Sequence, residues 1–149
     1  MATVQHGKTQ VLEQLVRVGR RFDERGWVMG TSGNFSVVIG RDPLRLAITP
    51  SAAFKGELQA DQILEMDDRG APVDAPSPLG PATTRPRVSA EALLHLEIVR
   101  ARGAGAVLHT HSIWATRLSE RFAKARGFFI EGYEMLKGLE GVRTHEHCE

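Results

Sequence analysis

Gly105-Ala106-Val107-Leu108-His109-Thr110-His111 is a short apolar run that ends in two histidines spaced i, i+2. Side chains alternate faces along a strand, so His109 and His111 project to the same side. A strand rises about 3.3 Å per residue, which brings the two imidazoles within reach of one ion. Neutral imidazole is a common metal ligand, and zinc accepts it readily. The residues alone also allow a plainer reading, two half-buried histidines bonded to backbone.

Helical patterns flank this strand. Upstream, Ser89 is placed to cap a helix over 90–102, in which Leu93, Leu94, Ile98 and Ala101 offer an inward face and Gly103 ends the element. Downstream, a second helix starts at Ser112 and carries Ile113, Trp114, Leu118 and Phe122. Near the start of the chain, residues 9–25 read as an amphipathic helix, with Val11, Leu12, Leu15, Val16, Val18 and Phe22 on its apolar face.

The β-branched stretch from Phe35 to Ile39, the turn residues Gly40-Arg41-Asp42-Pro43 and the alternating Leu44, Leu46 and Ile48 predict an antiparallel hairpin. Ile63 to Met66 and Phe128 to Ile130 predict further short strands. Pro72, Pro76, Pro78, Pro81 and Pro86 exclude a helix between them and read as an extended connector. Strands and helices interleave without repeats, which predicts an α/β sandwich around a mixed sheet.

Composition bounds the function. A chain of 149 residues with 42% hydrophobic and 25% charged residues fits one soluble domain with a real core. The net charge of +1 and the scattered Arg and Lys argue against nucleic acid as a partner. No apolar run is long enough to span a bilayer, and the N-terminus lacks a signal-peptide pattern. Cys148 is the sole cysteine, which fits a reducing cytoplasm.

A catalytic zinc site uses three protein ligands and one open position, and His109 and His111 supply two. His95 lies mid-helix among apolar residues and reads as structural. Thr144-His145-Glu146-His147 repeats the i, i+2 spacing but reads as a solvated tail. The loop Gly30-Thr31-Ser32-Gly33-Asn34 and the turn Thr49-Pro50-Ser51 offer amides and hydroxyls that could nest a phosphate, or they are ordinary turns. Ser89, at a helix start, can serve an anion or simply cap the helix. Lys55 could add a point charge to such an anion site, although its default reading is a surface lysine. Glu91 and Glu134 are the two carboxylates considered for acid–base work.

Taken together, Met29–Ser36, Leu46–Ser51, Ser89–His95, Gly103–Ser112 and Ile130–Gly138 resemble the class II aldolase/adducin family. The segment Glu134-Met135-Leu136-Lys137-Gly138 and the run Gly141–His147 point to its dehydratase branch rather than to the sugar-phosphate aldolases. The resemblance implies a three-layer α/β/α sandwich around a mixed, largely antiparallel sheet, assembled as a homo-oligomeric tetramer. The whole chain, 1–149, is expected to be one such domain lacking its C-terminal part, including the third zinc-binding histidine. Poor solubility would follow from the strand edges and apolar surface thus exposed.

By the same resemblance, His109 and His111 bind zinc, one per subunit, and Glu134 is the acid/base, with Glu91 as second candidate. Ser32, Gly33, Asn34, Thr49, Ser51 and Ser89 would lie at the phosphate of a small-molecule sugar phosphate. The implied activity is dehydration of a ketose phosphate. An aldolase, or a non-catalytic or inactive family member, remains open. Ala52 stands where the family has glycine after Thr-Pro-Ser, and Val88 stands where relatives commonly have proline.

Overall fold

The computed structural model describes residues 2–73 and 87–146, and side chains from residue 7 onward. Pro76, Pro78, Pro81, Pro86, His147 and Cys148 therefore lie outside the described residues, as does the side chain of His6. The chain divides into two compact units, Met1–His111 and Ser112–Glu149.

The first unit is built on a four-stranded sheet: β1 (Asn34–Arg41), β2 (Leu44–Ile48), β3 (Leu64–Met66) and β4 (Ala106–His109). Their spatial order is β3-β2-β1-β4, and every described pairing is antiparallel. The hairpin predicted from the Gly40–Pro43 turn pairs β1 with β2, matching Ser36 to Ile48 and Val38 to Leu46. β4 lies on the other side of β1, with Asn34 opposite His109 and Ser36 opposite Val107.

Alternation gives this sheet two working faces. One carries Leu46, Ile48 and Met66, all fully buried, against Ala92, Leu96 and Val99 of α2 (Ala92–Arg102). On the other, Phe35 is fully buried against Leu15 and Val28, with Phe22 and Val37 packed around it. Leu15 and Phe22 belong to α1 (Ala2–Glu24), longer at its start than the apolar pattern indicates. Phe22 meets Phe35 edge-on, with ring centroids 5.3 Å apart, and Lys8 of α1 pairs with Glu65 of β3. Each fully buried large side chain contributes about 1.5–3 kcal/mol from its removal from water. Helices on both faces of one sheet give the expected three layers.

Two expectations about α2 need correction. Leu93 and Leu94 do not face inward; they are 59% and 54% exposed, whereas His95, Leu96 and Val99 are buried. The helix also starts later, with Glu91 at its N-cap. Ser89 instead closes the preceding turn, its carbonyl accepting from Ala92 N at 3.0 Å. Gly103 ends α2 as expected, in a left-handed conformation (φ 63°).

In the second unit α3 (Ile113–Phe122) begins where its cap predicts, with Ser112 Oγ accepting from Ala115 N at 3.2 Å. A 3₁₀ turn over Ala123–Ala125 follows, and another spans Glu134–Gly138. Phe128 to Ile130 carries no strand, contrary to its β-type composition. Gly132 N donates to His145 O at 2.6 Å, so His145 is tied into this unit.

Candidate metal centre

The site forms where β4 ends beside the start of α2. His109 closes β4 opposite Asn34, and the chain continues so that the His109 and His111 rings share one side, with centroids 4.8 Å apart. His111 N donates to Trp27 O at 3.3 Å, tying the end of this segment to the loop after α1. From the N-cap of α2, Glu91 reaches the same place, its Oε2 lying 3.0 Å from His109 Nδ1. Asn34 Nδ2 donates to that same carboxylate oxygen and to Ser89 Oγ, the latter at 3.0 Å.

One ligand atom each from Glu91, His109 and His111 lie within 4.8 Å of one another. Ligand atoms sharing a tetrahedral zinc stand roughly 3.3 Å apart, as follows from metal–ligand distances near 2 Å. Small rotations of half-exposed side chains would close the difference. Two imidazoles and a carboxylate form the donor set of a catalytic divalent-metal site, so the residues present fit such an ion.

Charge and burial favour the same state. Partial burial pushes the Glu91 carboxyl up. The Asn34 amide bond and the neighbouring His109 and His111 outweigh it, and the group lies below the ordinary carboxylate range, ionised. Behind it, His95 is fully buried with Nδ1 2.7 Å from Ser36 Oγ. Burial first, then His109, lowers its pKa against an opposing pull from Glu91, which keeps His95 neutral.

The predicted anion groups divide by position. Gly33 (φ 69°) is wedged so that a Cβ would stand 2.5 Å from His109 O and 2.9 Å from Val28 Cγ1, which fixes the loop against the histidine strand. Ser32 Oγ and Asn34 Oδ1 are buried without a hydrogen-bond partner, as is His95 Nε2. Thr49 is buried, its hydroxyl accepting from Phe35 N at 3.1 Å. Ser51 is exposed at its side chain, while its N–H donates to Arg87 O at 2.8 Å. Ser89 Oγ also accepts from Glu91 N at 3.3 Å. In the second unit, Glu134 opens its 3₁₀ turn as an exposed carboxylate, 3.4 Å from Lys137 Nζ.

Sequence reasoning missed one group here and misjudged the burial of another. Ser36 occupies an inward strand position, and a small polar residue in an apolar alternation signals a buried partner. That partner is His95, one helical turn beyond Glu91. Lys55, read as a surface lysine, is fully buried.

Known proteins give the same picture. Residues 13–146 match the Class II Aldolase and Adducin N-terminal domain. The chain is 41% identical over 134 residues to the methylthioribulose-1-phosphate dehydratase of Acidiphilium cryptum, covering 89% of this chain and 58% of that protein. It is 42% identical over 133 residues to the protein of that name from Methylococcus capsulatus, with coverages of 89% and 58%. Among solved structures, an L-fuculose 1-phosphate aldolase superposes with a TM-score of 0.61 at 30% identity, over 74% of this chain and 48% of that one. The chain thus spans somewhat more than half the length of these curated relatives. A match to one family domain from α1 through the described end of the second unit, on a sheet that gathers two histidines and a glutamate, places this chain in the class II aldolase and adducin family.

Proposed function

We propose that this chain carries the metal-binding part of a methylthioribulose-1-phosphate dehydratase. The observation behind the proposal is the Glu91, His109 and His111 cluster, in a chain about 40% identical to proteins of that name. In this reading the ion is zinc, one per subunit. The protein is a cytoplasmic homo-tetramer that works in methionine salvage. No described helix is long and apolar enough to cross a membrane.

The reaction converts 5-methylthioribulose 1-phosphate to 2,3-diketo-5-methylthiopentyl 1-phosphate. The C3 proton is removed, the C4 hydroxyl departs as water after gaining a proton, and the resulting enol at C3 tautomerises to the ketone. A divalent ion held by His109 and His111 would polarise the substrate carbonyl and make the C3 proton more acidic. Glu134 is assigned the proton transfer. Asn34 holds the Glu91 carboxylate, leaving it an acceptor beside the histidines and the second candidate base. Ser32, Gly33, Asn34, Thr49, Ser51 and Ser89 are assigned to the phosphate, through hydroxyls and amides.

The test is to incubate the chain, loaded with zinc, with the ketose phosphate and follow the product by mass. A product lighter by one water supports the dehydratase, and Glu134→Gln should then cut turnover about 10²–10⁴-fold while leaving bound zinc unchanged. Cleavage into two smaller carbonyl fragments would favour the second reading, a sugar-phosphate aldolase. That reading is supported by the Glu91–His109 contact and the likeness to the L-fuculose 1-phosphate aldolase structure.

A further inference from the structure

We infer that Lys55 is a positioning cation for the substrate's phosphate, clamping together the Gly30–Asn34 loop and the turn after Thr49 and adding positive charge beneath them. The inference rests on the sugar-phosphate reading above. Lys55 is fully buried, and its Nζ donates to Thr31 O at 3.0 Å and to Ala53 O at 2.9 Å. These acceptors lie in two separate chain segments, each containing residues assigned to the anion. Among the described residues the ammonium forms no ion pair. Asp23, whose carboxylate packs against the neighbouring Gly56, is not its partner.

A buried cation without a counter-charge is costly, and an apolar side chain of similar volume would hold the same space more cheaply. Its burial alone pulls its pKa below the ordinary lysine value. An anion bound over the loop would supply the missing charge, in surroundings where salt screens it little.

The clamp also sets a distance. Thr31 is held by Lys55 through its carbonyl, while two residues on, Gly33 is pressed against the His109 carbonyl. The loop is thereby fixed between the ammonium and the strand that carries the histidines. A phosphate seated on it would stand at a constant span from the metal ligands, which is what a substrate joining the two requires.

The experiment titrates the zinc-loaded chain with inorganic phosphate by calorimetry, alongside Lys55→Met, with zinc content and circular dichroism measured for both. We expect phosphate affinity to fall at least tenfold in Lys55→Met, with zinc content and spectrum unchanged. In parallel, the wild-type chain labelled at lysine Cε should show the Lys55 signal shifting on phosphate addition. That signal is assigned as the one retained when Lys8, Lys124 and Lys137 are changed to arginine, so this arm does not depend on Lys55→Met folding.

Phosphate binding with an unmoved Lys55 signal, or equal affinity in Lys55→Met, overturns the inference and leaves the sugar-phosphate reading standing. Joint loss of zinc and phosphate in a folded Lys55→Met also overturns it, because Lys55 would then support the whole site. If the wild-type chain binds no phosphate, both the anion subsite and this role for Lys55 fall.

Discussion

In the first unit Phe35, Leu46, Ile48 and Met66 are fully buried between two helices, whereas in the second Trp114, Phe129 and Met135 stand 79%, 84% and 80% exposed. Both units contain amphipathic helices with clear apolar stripes. The difference lies in what stands opposite. Antiparallel pairing gives the first unit a sheet with two apolar faces, and each receives a helix. The described part of the second unit has one α-helix and two 3₁₀ turns, with no sheet to receive them. An apolar stripe is a local property of the sequence, and burial depends on the partner surface.

Substitutions should expose this contrast most sharply in the core. Leu96→Ala removes a fully buried side chain from the α2 face of the sheet and should cost about 2–5 kcal/mol in urea unfolding. Trp114→Ala, a larger truncation at an exposed position, should stay within about 0.5 kcal/mol. Similar losses for the two would remove the distinction between the units.

Gly33→Ala should come next, at about 2–3 kcal/mol. It places a Cβ 2.5 Å from His109 O at a positive φ, and loosening of β1 from β4 should appear as faster exchange of the Val38 amide, which donates across to Gly105 O. A smaller effect of opposite sign is expected at Ala52, which holds φ 57°, a left-handed conformation that favours glycine. Ala52→Gly should stabilise by about 1 kcal/mol, the relief of left-handed strain less the added backbone entropy of glycine. An unchanged or lower Tm would show that the turn carries no such strain.

The smallest effect concerns pH. The Glu91 carboxyl titrates lower when folded than its ordinary 4.5, so the unfolded chain binds more protons in the interval between the two values. Its contribution to stability is complete above the ordinary value and is lost as pH falls through the folded one. In metal-free protein, Glu91→Gln should flatten the acid side of the stability profile below about pH 4.5. An unaltered profile would mean the Asn34 and histidine contacts do not bias its ionisation.

The sequence carried those features that short-range chemistry determines. Alternation in Leu44–Ile48 and the turn at Gly40–Pro43 predict the hairpin, Ser112 marks the start of α3, and Gly103 marks the end of α2. The histidine strand is likewise visible, because i, i+2 spacing implies one face. What escaped depends on long-range packing. Leucines are read as inward at 93 and 94, yet the sheet presents Ser36 opposite α2, and the helix turns His95 to meet it. Lys55 gives no sign of burial in its own neighbourhood, because the carbonyl of Thr31 that receives it comes from a separate loop. Phe128 to Ile130 has strand composition, but among the described residues of its unit there is no strand with which to pair.

The pairing of β4 with β1 bears on kinetics as well as on chemistry. Asn34 and His109, which face each other across it, are joined by the longest stretch of chain between paired strands in this sheet. Pairings that close large loops form late, because the entropy of closure is lost before any contact compensates for it. Until that strand docks, Glu91, His109 and His111 are not neighbours and no ion can be held by all three. The appearance of a cobalt absorption band during refolding would therefore time the last step of sheet assembly. An ion bound there would brace the pairing that the bare chain closes last.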